Sequence, residues 1–367
     1  MNRVGNKNIF SYFLYVYKMT ARFRVSDSFL DDKTFARKAS VKVGTSGDIK
    51  FETPFKIGTG GVTSALLYEV HKRVKPDTIK KCLESEAKDR KHGLELAGRC
   101  KGTFNITTLE YDSSRETPTE KMVEELSDMQ YNHTDAIPTP SWFDLITRKD
   151  HTDVDLYLEL SDTFVNAAAT RNHKPILGTI PQSIPPTELG RVIKFYIDKD
   201  VTSFVVDSHG RTLISGSWVR LLQRSFEEYS IEKECLLYSM NAFQGTIRKN
   251  EDSCEAKDFI GFAAGFDIIG GKHSNKFGAK EEGNETIARL FDKETYNYTK
   301  VKCKKDDKQT INDRSVRAQI KEMEVVRTTI EDGKTKELLL SKNLLSETLD
   351  TLFGLKNKSN RRIEDFI

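Results

Sequence analysis

Polar side chains that can perform acid–base, nucleophilic or metal chemistry follow several stretches that the sequence pattern predicts to be β-strands. They are Asp112 and Ser113 after 104–111, Asp135 after 130–134, Gln182 after 175–180, Asp207 after 203–206, Asn241 after 235–240, and Asp267 to His273 within and after 266–269. If the strands are parallel, their carboxyl ends meet at one edge of the sheet. Carboxylates gathered at that edge repel one another, so their clustering indicates a functional site. Each residue alone also fits ordinary turn or helix-capping chemistry, so the set carries more weight than its members.

The elements that must bring these residues together alternate between strand and helix along the chain. Helices are predicted near 63–73, 77–98, 119–129, 153–170, 186–197 and 218–229. Because the strands start about 20 to 40 residues apart, the order is typical of βα units and predicts an α/β fold, a (β/α)8 TIM-like barrel of roughly 250 residues. A doubly wound open sheet is the alternative, but no GxGxxG follows the first strand, which disfavours a dinucleotide-binding version.

The chain divides into three predicted regions. Residues 1–21 form an N-terminal extension, whose apolar run at 9–17 is far shorter than the roughly 20 residues needed to cross a bilayer. Residues 22–285 form the catalytic barrel, and this region begins with a β-hairpin at 39–45 and 48–51. Residues 286–367 form a helical C-terminal appendage.

The composition is that of a soluble globular protein. Of the 367 residues, 37% are hydrophobic and 31% are charged, which excludes a membrane-embedded chain. The net charge of +3 does not indicate nucleic-acid binding by itself, so such a surface would be local, near the lysines at 72–91, 272 or 300–308. The five cysteines are odd in number and widely spaced, which predicts a reducing, cytoplasmic location without a disulfide framework.

Several catalytic motifs are absent from the sequence. It contains no GxSxG nucleophile motif, no P-loop ending in GK[ST], and no HExxH or CxxC metal motif. Carboxylates are the ligands that Mg²⁺ and Mn²⁺ prefer, so a metal-dependent hydrolase or lyase remains one hypothesis. Its ligands would be Asp112, Asp135, Asp207 and Asp267.

Short motifs occur in an order that resembles the tRNA-guanine transglycosylase superfamily. They are Ala36-Arg37-Lys38, Glu52-Thr53-Pro54, Ile57-Gly58-Thr59, Asp112-Ser113, Asp135 with Pro138 and Pro140, Leu177 to Ser183, and Gly265-Phe266-Asp267. The similarity covers roughly residues 22–275. Ser114-Arg115 replaces a Gly-Gly pair, and the C-x-C-x-x-C zinc motif is absent, so the chain is more similar to the branch that acts on DNA.

The resemblance implies an enzyme that exchanges guanine for a 7-deazaguanine base in nucleic acid, with DNA favoured over tRNA. Asp267 would attack C1′ and hold the sugar covalently, and Asp112 would take the proton that the incoming base loses. Lys272 would contact a phosphate. The implied substrate-binding residues are Ser113, Asp135, Gln182, Asp207 and His273.

The implied partners are DNA or tRNA, the 7-deazaguanine base and accessory proteins. No cofactor is implied, because the zinc-binding cysteines of the tRNA enzymes are missing. The same gap leaves open a non-catalytic relative that binds nucleic acid or supports a catalytic subunit.

Overall fold

The computed structural model of the protein describes residues 21–44, 49–84, 100–112, 116–148, 151–171, 173–248, 250–273 and 284–359. Ser113, one of the predicted substrate-binding residues, lies outside these ranges, as do residues 1–20 of the predicted N-terminal extension. No helix within the described ranges combines the length and the apolar character needed to cross a membrane.

The described elements are numbered in chain order. The strands are β1 (Arg22–Leu30), β2 (Arg37–Gly44), β3 (Ile49–Thr53), β4 (Phe55–Lys56), β5 (Leu67–Val74), β6 (Phe104–Tyr111), β7 (Ile137–Pro138), β8 (Thr147–Arg148), β9 (His151–Thr152), β10 (Ile176–Pro181), β11 (Ser203–Asp207), β12 (Leu236–Met240), β13 (Ser253–Glu255), β14 (Ile268–Ile269), β15 (Glu285–Asp292) and β16 (Asn297–Lys304). The α-helices are α1 (Pro76–Glu84), α2 (Glu120–His133), α3 (Phe143–Ile146), α4 (Val154–Ala169), α5 (Leu189–Asp198), α6 (Gly216–Glu228), α7 (Lys305–Glu331), α8 (Thr335–Ser341) and α9 (Ser346–Ser359). Short 3₁₀ helices occupy Pro186–Glu188 and Phe259–Ala264.

Parallel strands form the centre of the fold. A six-stranded sheet has the order β4-β14-β12-β11-β10-β7, and each neighbouring pair in it runs parallel. Strands β5 and β6 form a second parallel sheet. Isolated parallel bridges join Gly58 to Tyr68 and Ile106 to Ala136, and so link the two sheets. The prediction of an α/β fold with a parallel sheet is confirmed.

An antiparallel sheet of β1, β2 and β3 covers the amino ends of the parallel strands. Val41 and Val43 on β2 are buried in one apolar cluster with residues that begin parallel strands, such as Leu236 of β12. Phe23 of β1 contacts Phe104, the first residue of β6, with ring centroids 6.0 Å apart. The predicted hairpin is therefore confirmed in β2 and β3, and β1 extends it to three strands.

The predicted helix at 63–73 is wrong, because β5 occupies Leu67–Val74 and pairs with β6 along its whole length. Leu67, Tyr68 and Glu69 are all buried. Polar residues at 69, 71 and 73 alternate with apolar residues at 68, 70 and 74, a period of two that is typical of a strand and that the helix prediction overlooked.

The predicted strand at 130–134 is also wrong, because α2 continues to His133. The Thr119 hydroxyl caps the start of this helix, and Met129 and Gln130 lie on its buried face. Asp135 therefore precedes a parallel strand, β7, instead of following one.

The C-terminal region begins with a β-hairpin of β15 and β16, which the prediction of a helical appendage over 286–367 did not include. Alternate residues of β15 are buried, the pattern of a strand with one exposed face. Helix α7 follows, and Met323, Val326 and Ile330 on it join the main apolar core. This core also receives the buried faces of α2, α4, α5 and α6 from the outer side of the parallel strands.

Candidate active site at the carboxyl ends of the parallel strands

Glu69 is a buried carboxylate on β5 that faces the segment after β14. The backbone N–H of Gly271 donates to its Oε2 at 2.6 Å, and the Tyr238 hydroxyl donates to Oε1. Nε2 of His273 lies 3.0 Å from Oε2. Burial raises the pKa of Glu69, but the charge of His273 and these hydrogen bonds outweigh it and hold the pKa below its ordinary value. Glu69 is therefore an ionised partner for His273.

A second carboxylate–histidine pair lies beside the first. Nε2 of His71 lies 3.2 Å from Oε2 of Glu110, and Nδ1 of His71 lies 3.0 Å from the Thr108 hydroxyl. Arg73 donates to both oxygens of Glu110, at 3.0 and 2.8 Å. Although burial raises the pKa of Glu110, hydrogen bonds from His71 and Arg73 lower it to about 2. Both carboxylates are thus charged acceptors.

The two histidines connect the pairs. The rings of His71 and His273 stack with centroids 4.8 Å apart and an angle of 14° between their planes. An imidazole can donate or accept a proton near neutral pH, and a carboxylate on one nitrogen orients the ring and stabilises its charged form. Both ring nitrogens of His71 already have partners in the protein, so His273 is the histidine of the pair that could act as a general acid or base.

Gly271 allows the chain after β14 to approach Glu69. A Cβ atom at Gly271 would lie 2.9 Å from Oε2 of Glu69, 2.9 Å from Cγ2 of Thr59 and 3.1 Å from Nε2 of His273. The preceding residue, Gly270, is equally confined, since a Cβ there would lie 2.2 Å from the carbonyl oxygen of Ser239. Only residues without a side chain fit here, so the Gly-Gly pair sets the position of both Glu69 and His273.

Asp207 ends β11 at the same edge, as the sequence predicted. Its Oδ1 accepts hydrogen bonds from the Asn241 side-chain amide at 3.0 Å and from the backbone N–H of His209 at 3.1 Å. Oδ1 of Asn241 in turn accepts from the backbone N–H of His273 at 2.9 Å. The predicted residues Asp207 and His273 are therefore connected through one amide side chain.

Gln182 and Asp112 also lie at the carboxyl ends. The backbone N–H of Gln182 donates to the carbonyl of Asp207 at 2.9 Å, and its side-chain amide donates to Thr212. Asp112 follows β6 and is partly exposed. Its backbone N–H donates to the carbonyl of Val74 at 2.9 Å, so Asp112 lies beside the carboxyl end of β5.

Asp267 lies at the opposite end of the parallel strands. It directly precedes β14, is 1% exposed, and receives hydrogen bonds from Arg37 on both oxygens. The backbone N–H of Leu237, the second residue of β12, donates to Oδ2 at 2.8 Å. Burial lowers the pKa of Arg37, but the charge of Asp267 outweighs it and raises that pKa above its ordinary value. The pair is a buried salt bridge at the amino ends.

Asp135 is also at the amino ends. Its Oδ2 accepts from the backbone N–H of Asn105, near the start of β6, at 2.8 Å. The structure therefore connects Gln182, Asp207 and His273 through hydrogen bonds and places Asp112 after β6, at the carboxyl end of its own strand. Asp135 and Asp267 precede their strands and are separated from this group. The described residues contain no group of three or more His, Cys, Asp or Glu side chains placed to hold a metal ion.

Glu69, His71, Glu110 and Tyr238 were not among the residues predicted from the sequence. The available signal was the spacing of Glu69, His71 and Arg73, which occupy every second position of one segment. In a strand this spacing places all three side chains on one face. Neither the family models nor the curated proteins compared with this chain gave a match.

Proposed function

We propose that the chain is a transglycosylase with a (β/α)8 barrel, which exchanges guanine for a 7-deazaguanine base in nucleic acid. The closed barrel is supported by the two isolated bridges, which connect β4 with β5 and β6 with β7, the edges of the two parallel sheets. Enzymes with this architecture carry their catalytic groups at the carboxyl ends of the strands. The candidate site is at that end.

The observation that carries the proposed activity is the stacked pair of histidines, each beside its own ionised carboxylate. Base exchange moves a proton twice, because the leaving guanine gains one and the incoming base loses one. His273, held by Glu69, is the proposed group for both transfers. His71, held by Thr108 and Glu110, packs against the ring of His273 and helps to fix its orientation.

The proposed nucleophile is Asp112, not Asp267. Asp112 is partly exposed at the carboxyl ends, whereas Asp267 is buried against Arg37. Asp112 forms a bond to C1′ of the nucleotide while the bond from C1′ to the base breaks, and His273 protonates the leaving guanine. The 7-deazaguanine then gives its proton to His273, attacks C1′ and releases Asp112.

Incorporation of a labelled 7-deazaguanine into DNA and tRNA tests this function. We expect incorporation, with DNA preferred because the zinc motif is missing from the sequence. His273→Ala should lower turnover by about a hundredfold or more, the usual contribution of a general acid–base group. His173→Ala removes an exposed histidine and should have no effect.

The nucleophile is tested by trapping the covalent intermediate. Asp112→Ala should abolish the protein–nucleic acid adduct that the wild-type enzyme accumulates when the incoming base is withheld. Folded wild-type protein that incorporates label into neither polymer would disprove the activity. An adduct that persists in Asp112→Ala and disappears in Asp267→Ala would assign the nucleophile to Asp267.

A further inference from the structure

A polar cavity of about 520 Å³ adjoins the candidate site. It lies between the chain segments that follow β4 and β14 on one side and β15, β16 and α7 on the other. Its volume falls within the usual range for small-molecule sites. His273 lines the cavity and also contacts Glu69, so a ligand in the cavity would lie beside the proposed proton-transfer group.

The charged side chains that line the cavity are mostly cationic. They are Lys56, Lys272, Arg289 and Lys308, with Asp313 as the acidic member. Asp313 already accepts hydrogen bonds from the backbone N–H of Gly61 at 3.1 Å and from Gln309 at 2.7 Å. These bonds hold the carboxylate on one wall, and the cavity keeps a net positive character.

The cations are held in place by the surrounding structure. Nη1 of Arg289 donates to the carbonyl of Gly245 at 2.9 Å, and Nζ of Lys308 donates to the Thr286 hydroxyl at 3.0 Å. Burial, then the charge of Arg289, lowers the pKa of Lys272. Like charges collected in a recess repel one another, and an anion bound between them would relieve this repulsion.

We propose that this cavity binds a phosphate group, with Lys272, Arg289 and Lys308 as its contacts. Arginine and lysine are the residues that proteins use for phosphate recognition, since their N–H groups make charge-assisted hydrogen bonds to the oxygens. The binding of phosphate in this cavity is independent of the function proposed above. The further statement that the phosphate belongs to the substrate, with its base near His273, rests on that function.

Fluorescence anisotropy with a short fluorescein-labelled single-stranded DNA measures this binding without any base exchange. The double variant Lys272→Gln/Lys308→Gln should bind the labelled DNA about tenfold or more weakly than the wild type, because each substitution removes one charge-assisted contact to a phosphate. The slope of log affinity against log salt should fall by about one for each lysine removed. The matched control is Lys42→Gln/Lys50→Gln, which removes two exposed lysines from β2 and β3 at the amino ends and should bind as the wild type does.

Competition distinguishes two sources of the phosphate, a free nucleotide and a nucleic-acid strand. Displacement of the labelled DNA by GMP but not by guanosine would identify a phosphate monoester of a free nucleotide, and displacement only by unlabelled DNA would identify a phosphodiester. Either result supports the proposal. Equal loss of binding in the two double variants would overturn it, as would wild-type affinity in Lys272→Gln/Lys308→Gln. Lys272→Gln alone changes one side chain at the rim of the cavity and keeps the test valid if the double variant is unstable.

Discussion

At the scale of single residues, the candidate site depends on carboxylates that are buried and ionised. Glu110→Gln tests this dependence. Burial raises the pKa of Glu110, yet His71 and Arg73 lower it from 4.5 to about 2. Because the folded pKa is below the unfolded one, the ionised carboxylate stabilises the fold above pH 4.5, and this contribution disappears as the pH falls through about 2.

The free energy of unfolding of Glu110→Gln should therefore be lower than that of the wild type at neutral pH, and the difference should shrink as the pH falls from 4.5 to about 2. Urea denaturation at a series of pH values measures it. Glu124→Gln, at an exposed position on α2, should show little difference at any pH. A difference for Glu110→Gln that is the same at every pH would contradict the ionised state.

Asp267 forms a buried ion pair with Arg37, and its contribution to stability can be measured without any assay of activity. Asp267→Asn keeps the shape of the side chain but leaves the Arg37 guanidinium buried without its counter-charge. Breaking a buried ion pair on one side typically costs about 3–5 kcal/mol, so we expect a loss of that size in urea denaturation. Asp198→Asn breaks an exposed pair with Lys194 and should cost less than about 1 kcal/mol.

The same variant tests the nucleophile assignment, because turnover per folded molecule is measured independently of stability. We expect Asp267→Asn to retain most of the wild-type turnover when assayed at a temperature where it is folded. Full stability together with lost turnover would reverse both conclusions and would assign Asp267 to the reaction.

At the scale of elements, the Gly270-Gly271 segment after β14 controls the geometry of the site. Gly271→Ala places a methyl group 2.9 Å from Oε2 of Glu69, so either the carboxylate or the strand must shift. We expect about 1–3 kcal/mol of destabilisation and a large loss of turnover, measured by denaturation and base exchange. Gly354→Ala in α9 meets no atom within 4 Å and should be neutral or slightly stabilising.

The sequence predicts some elements well and others poorly, for physical reasons. Strands such as β10, β11 and β12 are apolar runs between turn residues, and their positions were predicted within one or two residues. Strand β5 carries Glu69, His71 and Arg73, and these polar residues interrupt the apolar run that marks the other parallel strands. Three residues of the candidate site were therefore on an element that was predicted as a helix.

The sequence pattern also fails to predict at which end of a short strand a carboxylate lies. Strand β14 is only two residues long, and Asp267 stands immediately before it. An error of one or two residues in a strand boundary moves a side chain from one end of such a strand to the other. Asp207 was predicted at the correct end because the full strand β11 precedes it.

At the scale of the whole molecule, α7 connects the two ends of the parallel strands. Its 27 residues correspond to roughly 40 Å at about 1.5 Å per residue. Near its start, Asp313 accepts from the backbone N–H of Gly61, which follows β4. Near its end, Arg327 donates to the carbonyl of Pro54, which precedes β4, at 3.0 Å. The helix thus joins the C-terminal region to the chain on both sides of β4.

We expect the described part of the chain to unfold as one cooperative unit, because Met323, Val326 and Ile330 of α7 share the main apolar core. Differential scanning calorimetry should show a single transition. Arg327→Gln should lower its temperature without splitting it, and Arg317→Gln, at an exposed position of the same helix, should leave it unchanged. A separate early transition for the C-terminal region would show that α7 does not unite the fold.

The three-stranded sheet at the amino ends has a kinetic consequence for the proposed reaction. Phe23, Val41, Val43 and Phe51 pack against the amino ends of the strands in the described fold, so in the proposed reaction both bases would reach the site from the carboxyl ends. The departing guanine and the arriving 7-deazaguanine would then occupy the same space in turn. Guanine that accumulates during turnover should therefore act as a competitive inhibitor, and excess 7-deazaguanine should restore the rate.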